Sequence, residues 1–129
     1  MTMDREAALR SLYTGDIFHA RSNNGASIIY LVTAIDDATI YARRIHTQDD
    51  VQFDRKTGFE SGKDHTKIDC AAQLPPDIHD IFVRFDRRYQ DAHTRLRQGI
   101  EVDFKEARQT PDERRAHEFL DRHIEANLI

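Results

Sequence analysis

The spacing of apolar residues along the chain changes at Gly15. Before this glycine, apolar side chains such as Leu9 and Leu12 recur at helical spacing, which predicts a short helix over residues 4–13. After it, apolar and polar positions alternate every second residue, as is typical of β-strands. The chain is therefore expected to begin with one short helix, followed by a β-rich part at residues 15–74.

The β-rich part contains five predicted strands separated by turn residues. Asn24-Gly25 is a strong hairpin signal, because both residues tolerate positive φ. Residues 27–35 carry apolar side chains on both faces, so we expect this strand to be covered on both sides. Closely spaced short strands favour a bent antiparallel sheet or an SH3-like barrel. The predicted strands lie at residues 15–21, 27–35, 39–45, 51–54 and 68–70.

Two longer amphipathic helices are predicted after the sheet. The first covers residues 76–98, with a proline in its first turn and an apolar stripe about 100° wide along one side. The second covers residues 111–128 and opens with the capping box Thr110-Pro111-Asp112-Glu113. The stripe of the first helix consists of Ile78, Ile81, Phe82, Phe85, Tyr89, Ala92 and Leu96. The predicted fold class is therefore α+β, with residues 1–129 in one domain.

The segment between these two helices leaves two alternatives open. Ile100, Val102 and Phe104 alternate with acidic residues, which fits a short strand or an extended connector.

The composition indicates in which cellular compartment the chain is expected to work. The single cysteine, Cys70, cannot form an internal disulfide and is expected to be a small core residue in a reducing compartment. No apolar run approaches the roughly 18 residues of a membrane helix, and the first residues lack the pattern of a signal peptide. We therefore expect a cytoplasmic protein with no membrane partner.

One set of side chains in the β-rich part fits a nucleic-acid surface. An aromatic residue and several cations on neighbouring strands suit stacking against single-stranded nucleic acid. The formal net charge of −4 at pH 7 argues against this, because most nucleic-acid-binding domains carry a basic excess. Nearby acids also favour the simpler alternative of a mixed-charge surface. The candidate residues are Tyr41, Arg43, Arg44, Arg55 and Lys56.

Pro76-Asp77 and Asp103-Phe104-Lys105 resemble the spaced Pro-Asp … Asp/Glu-x-Lys signature of a large superfamily of metal-dependent nucleases. The resemblance implies that Asp77 and Asp103 hold Mg²⁺, while Lys105 orients the attacking water. It departs from the family pattern in topology, because a predicted helix separates the two acids. The alternative is that Asp77 favours its helix N-terminus electrostatically.

The seven histidines form no obvious metal-ligand pair, and His79 and His117 are expected to be exposed helix residues. Accordingly, the sequence predicts no catalytic residues, no metal site and no cofactor. The leading interpretation is a non-catalytic binding or adaptor protein that contacts another protein, alone or as a homodimer. A nucleic-acid-binding module and, more remotely, a metal-dependent nuclease remain the alternatives.

Overall fold

A computed structural model describes residues 4–62, 66–104 and 110–129 and confirms the α+β class. The first helix is shorter than predicted: it covers Arg5–Arg10, and Ser11 is its C-cap residue. The other elements begin and end within a few residues of their predicted bounds. They are α1 (Arg5–Arg10), β1 (Ile17–Ser22), β2 (Ser27–Ile35), β3 (Thr39–Arg44), β4 (Asp50–Asp54), β5 (Thr66–Cys70), α2 (Pro76–Arg97) and α3 (Pro111–Ala126).

The strands form an antiparallel sheet in the order β4-β3-β2-β1-β5. Residues 23–26 join β1 to β2 in the hairpin that Asn24-Gly25 predicted, with Ser27 opposite Arg21 and Ile29 opposite His19. A β-bulge interrupts the pairing of β1 with β5 between His19 and Ala20. Bulges bend strands and redirect side chains.

The sheet is curled into a half-barrel, as three aromatic rings on one face show. Phe18 on β1 and Phe53 on β4 are three strand positions apart, about 14 Å in a flat sheet. Their ring centroids nevertheless lie only 5.2 Å apart, and Tyr30 contacts both rings. These rings and the buried side of α1 form the first core cluster.

A short segment bridges the two edge strands of the curled sheet. Phe53 of β4 forms an isolated bridge with Glu60, and Lys67 of β5 forms another with Phe59. The amide of Glu60 also donates to the carbonyl of Thr66 at 2.9 Å. This segment supplies backbone partners to edges that would otherwise be open.

The opposite face of the sheet packs against α2 and α3 in a second core cluster. Both faces of β2 are therefore covered over Ile28–Val32, as predicted. The apolar stripe of α2 is buried from Ile78 to Ala92. Leu96 departs from the prediction, because its side chain is 49% exposed near the end of the helix. Val83, which lies off the stripe, packs against the same cluster.

Several smaller expectations can also be compared with the structure. Cys70 is buried, as predicted, and burial raises the pKa of its thiol. Residues 100–103 have no regular secondary structure, which fits the extended connector rather than the short strand, and residues 105–109 lie outside the described residues. Among the described residues, no helix is both long and apolar enough to cross a membrane.

Candidate metal centre

Three potential metal ligands meet where the sheet faces the two long helices. His46 lies in the turn between β3 and β4, while Glu113 and His117 lie one helical turn apart on α3. An i, i+4 spacing places two helical side chains on the same face. Backbone geometry thus pairs two ligands on α3, and packing of that helix against the sheet supplies the third.

The ligand atoms of the three side chains have separations suited to a shared ion. The Nε2 atom of His46 lies 3.2 Å from Oε1 of Glu113, and Nε2 of His117 lies 3.6 Å from the same oxygen. All three ligand atoms lie within 4.8 Å of one another. Tetrahedral ligands with bonds of about 2.0–2.1 Å to Zn²⁺ are separated by roughly 3.3 Å. The two separations from Glu113 are already close to this value, so binding of such an ion would mainly require the two imidazoles to adjust to each other.

Glu113 is buried, but its hydrogen-bond partners keep its carboxylate ionised at neutral pH. Its exposure is 2%, and the Tyr89 hydroxyl donates to its two oxygens at 2.7 and 2.9 Å. Burial alone would raise the pKa of Glu113, but hydrogen bonds from His117, His46 and Tyr89 outweigh it and lower the pKa to about 2. A carboxylate that is already ionised at neutral pH is ready to bind a cation.

Glu113 also belongs to the predicted capping box, which forms only in part as expected. The backbone amide of Glu113 donates to Oγ1 of Thr110 at 3.2 Å, as in a capping box. Its carboxylate, however, is turned inward to Tyr89 and His46. One residue therefore contributes its amide to the helix cap and its side chain to the cluster.

The turn that carries His46 is held in place by Asp86 of α2. Arg43 donates to both oxygens of Asp86 at 3.0 and 2.6 Å. Gln48 donates to Oδ1 of Asp86 at 2.9 Å and to the carbonyl of Ile45 at 2.8 Å. Gln48 has a φ of 64°, a conformation that side chains other than glycine seldom adopt. These contacts define the conformation of the turn on both sides of His46.

The predicted nucleic-acid residues do not form one continuous patch. Tyr41 and Arg55 meet at the turn after β2, where the Tyr41 hydroxyl donates to the carboxylate of Asp36 and Arg55 donates to its carbonyl. Arg43 is instead bound to Asp86, on the side of the sheet that faces α2. The five residues are thus only partly brought together.

Of the other two members of the set, Lys56 follows Arg55 directly, whereas Arg44 lies apart from this turn. Arg44 pairs with Tyr30, one position beyond Arg43, so its side chain leaves the opposite face of the sheet. Lys56 is exposed in the turn after β4. Binding of nucleic acid by these residues stays a prediction.

The two acids of the nuclease-like pattern do not meet. Asp77 lies in the first turn of α2, whereas Asp103 lines a surface cleft beside Arg88 and Asp91. Asp77 and Arg88 are eleven positions apart on the helix, a distance of about 16 Å, which is too far for one cation to be shared. Lys105 lies outside the described residues.

Sequence reasoning did not anticipate the cluster of His46, Glu113 and His117. The Glu-x-x-x-His spacing of α3 was a visible signal, but nothing local connects it to His46, which is 67 residues from Glu113. His117 is partly buried rather than exposed, and so is His79, whose Nε2 lies 2.8 Å from the carbonyl oxygen of Gly15. Because a carbonyl only accepts, His79 is the donor.

No family model, curated protein or solved structure matches this chain significantly. The function must therefore be argued from the arrangement of its own residues.

Proposed function

We propose that this chain is a metal-binding protein that holds one divalent transition-metal ion at His46, Glu113 and His117. The observation that supports this is the convergence of their three ligand atoms to within 4.8 Å. This keeps binding as the proposed role, as in the leading interpretation of the sequence, and proposes a metal ion as the ligand. A protein partner stays a prediction.

The donor set favours an ion of the zinc type over magnesium or calcium. Two imidazole nitrogens and one carboxylate suit Zn²⁺ and its neighbours among the transition metals. Magnesium and calcium prefer oxygen ligands, of which this cluster offers one residue. The two histidine side chains are 26% and 36% exposed, so solvent can complete the coordination.

Metal binding would join parts of the fold that are distant in sequence. His46 belongs to the sheet side and the other two ligands to α3, so a bound ion would cross-link these layers. An ion that binds only the folded chain adds to its free energy of unfolding. In the absence of metal, hydrogen bonds from the two imidazoles to Glu113 would hold the same groups together.

Isothermal titration of the chelator-treated protein with Zn²⁺ tests the proposal. We expect about one ion per chain for the unaltered protein and a loss of affinity of at least about tenfold for His117→Gln. His123→Gln is the matched control: His123 is a partly buried histidine on the same helix, whose Nε2 lies 3.2 Å from the carbonyl of Ala72.

Equal affinity in the unaltered protein and in His117→Gln would contradict the proposal. So would an absence of binding in a chain whose circular dichroism shows that it is folded.

A further inference from the structure

A second polar cluster, at the end of the β1–β2 hairpin, contains a serine, a histidine and an aspartate in series. His19 is 1% exposed, and its Nδ1 lies 2.5 Å from Oδ1 of Asp69. Its Nε2 is hydrogen-bonded to the hydroxyl of Ser27, an exposed residue. The nucleophile-to-base and base-to-carboxylate hydrogen bonds of a catalytic triad are both present.

The partners of His19 determine where its protons lie. An ionised carboxylate can only accept, so Nδ1 carries a proton and donates it to Asp69. Neutral imidazole then leaves Nε2 as an acceptor for the Ser27 hydroxyl. In this tautomer, His19 is oriented to remove the proton from Ser27.

The sheet register places a cation beside the same serine. Arg21 lies directly opposite Ser27 in the β1–β2 pairing, so both side chains leave the same face of the sheet. Its Nε donates to Oδ2 of Asp69 at 3.3 Å. The Arg21 side chain is 51% exposed and shares its face of the sheet with Ser27, which places a positive charge on the side where negative charge would develop.

The bulge in the pairing of β1 with β5 explains how Asp69 enters this group. The pairing of β1 with β5 shifts register between His19 and Ala20, so Cys70 lies opposite His19 and Ile68 lies opposite Ala20. The extra residue on β5 is Asp69, which can therefore contact both His19 and Arg21.

We propose that Ser27 is a nucleophile that takes an acyl group from small activated carboxylic esters, with His19 as its general base. Asp69 positions the imidazole, and Arg21 stabilises the oxyanion. A cleft of about 330 Å³ is lined in part by Arg21, Asp69 and Phe59, so two members of the cluster border it, although Ser27 and His19 are not among its lining residues.

The acyl transfer balances without a further cofactor. The Ser27 oxygen forms a bond to the ester carbonyl carbon as His19 takes the hydroxyl proton. The bond from carbon to the alcohol oxygen then breaks, and the proton on His19 passes to the departing alcohol. Water attacks the acyl-serine in the second step, gives a proton to His19 and releases the carboxylic acid, after which the proton returns to Ser27.

Intact-protein mass spectrometry after treatment with a small alkyl fluorophosphonate tests the proposal. The Ser27 oxygen would bond to phosphorus as the P–F bond breaks and HF leaves. We expect one adduct, mapped to Ser27 by peptide sequencing and absent from Ser27→Ala. Ser22→Ala is the matched control, because Ser22 lies in the same hairpin and its hydroxyl bonds to Asn24.

Substitutions of the general base, His19, and of the carboxylate that orients it, Asp69, test the proposal independently. His19→Gln and Asp69→Asn should slow the labelling, and the hydrolysis of p-nitrophenyl acetate, by at least about 100-fold. Since His19 is buried, folding of each variant is checked by circular dichroism; Asp69→Asn, a conservative change, provides the comparison if His19→Gln does not fold.

No adduct on the folded protein, or an adduct that persists in Ser27→Ala, would overturn the proposal. Equal labelling rates in Asp69→Asn and the unaltered protein would overturn it as well. Labelling is measured with and without chelator, so that its outcome does not depend on the proposed metal centre.

Discussion

The hydroxyl of Tyr89 lies 2.7 and 2.9 Å from the two carboxylate oxygens of Glu113. Tyr89 is a fully buried residue on the apolar stripe of α2, so this contact links the second core cluster directly to the candidate metal ligands. The ring of His46 lies 5.1 Å from the Tyr89 ring, between centroids. Packing of α2 and the position of the ligands are therefore coupled.

Replacement of Tyr89 by phenylalanine keeps the ring and removes the donor to Glu113. We expect the free energy of unfolding to fall by about 1.5–3 kcal/mol, the usual contribution of a hydrogen bond to a charged group. Zinc affinity should fall about 10- to 100-fold, because the carboxylate loses a group that orients it. Urea denaturation and calorimetric titration measure the two effects. Tyr41→Phe, which removes a more exposed hydroxyl, should change neither the free energy of unfolding nor the zinc affinity appreciably. An unchanged zinc affinity in Tyr89→Phe would contradict the coupling between the packing of α2 and the position of the ligands.

The stability of the metal-free protein should depend on the ionisation of Glu113. Its pKa is about 2 in the folded chain, against an ordinary value of 4.5. Because the folded pKa is the lower one, the contribution is fully present above pH 4.5 and is lost as the pH falls through 2. It amounts to about 3 kcal/mol.

Urea denaturation between pH 2 and pH 6 measures this dependence. Glu113→Gln should show a shallower decline in the free energy of unfolding across this range, whereas Glu118→Gln, at an exposed position on the same helix, should behave like the unaltered protein. Parallel curves for the unaltered protein and Glu113→Gln would contradict the assignment.

Asp86 should support both the fold and the proposed metal site. Asp86→Ala leaves Arg43 without its buried partner and frees Gln48, so we expect a loss of about 3 kcal/mol in the free energy of unfolding. Zinc affinity should also fall, because the turn that holds His46 loses its anchor. The matched control is Asp80→Ala, which breaks an exposed ion pair with Arg84 and should cost less than about 1 kcal/mol.

Chemical denaturation and zinc titration of both variants provide the check. Equal free energies of unfolding for Asp86→Ala and Asp80→Ala would show that the contacts of Asp86 do not stabilise the turn.

Two phenylalanines in the middle of α2 should carry much of its packing energy. Phe82 and Phe85 are almost completely buried, and their rings meet edge to face at 6.0 Å. Replacing either by alanine should cost about 3–5 kcal/mol. Leu96→Ala, at an exposed position of the same stripe, should cost less than about 0.5 kcal/mol. A midpoint of urea denaturation equal to that of the unaltered protein, in either phenylalanine variant, would contradict the packing described.

Much of the fold could be predicted because its signals are local. The pair Asn24-Gly25 indicated the first hairpin, and Thr110-Pro111 indicated the start of α3. The exposed end of α2 could not be predicted in the same way. Leu96 continues the apolar spacing, but which part of the stripe is covered depends on how far the elements packed against the helix extend.

The candidate sites could not be predicted, because each depends on contacts between distant segments. His46 meets Glu113 only after the helix that carries Glu113 has packed against the sheet. Asp69 reaches His19 across 50 residues, through a bulge that alternation alone does not reveal. Arg43 was predicted to be a surface cation, and local spacing gave no signal that Asp86 on α2 would be its partner.

The most direct test of the proposed function is a crystal structure of the protein soaked with Zn²⁺, with an anomalous difference map recorded at the zinc edge. We predict one strong peak within about 2.0–2.2 Å of Nε2 of His46, Nε2 of His117 and a carboxylate oxygen of Glu113. A map with no peak among these three side chains, or with its only strong peaks elsewhere on the chain, would contradict the proposal.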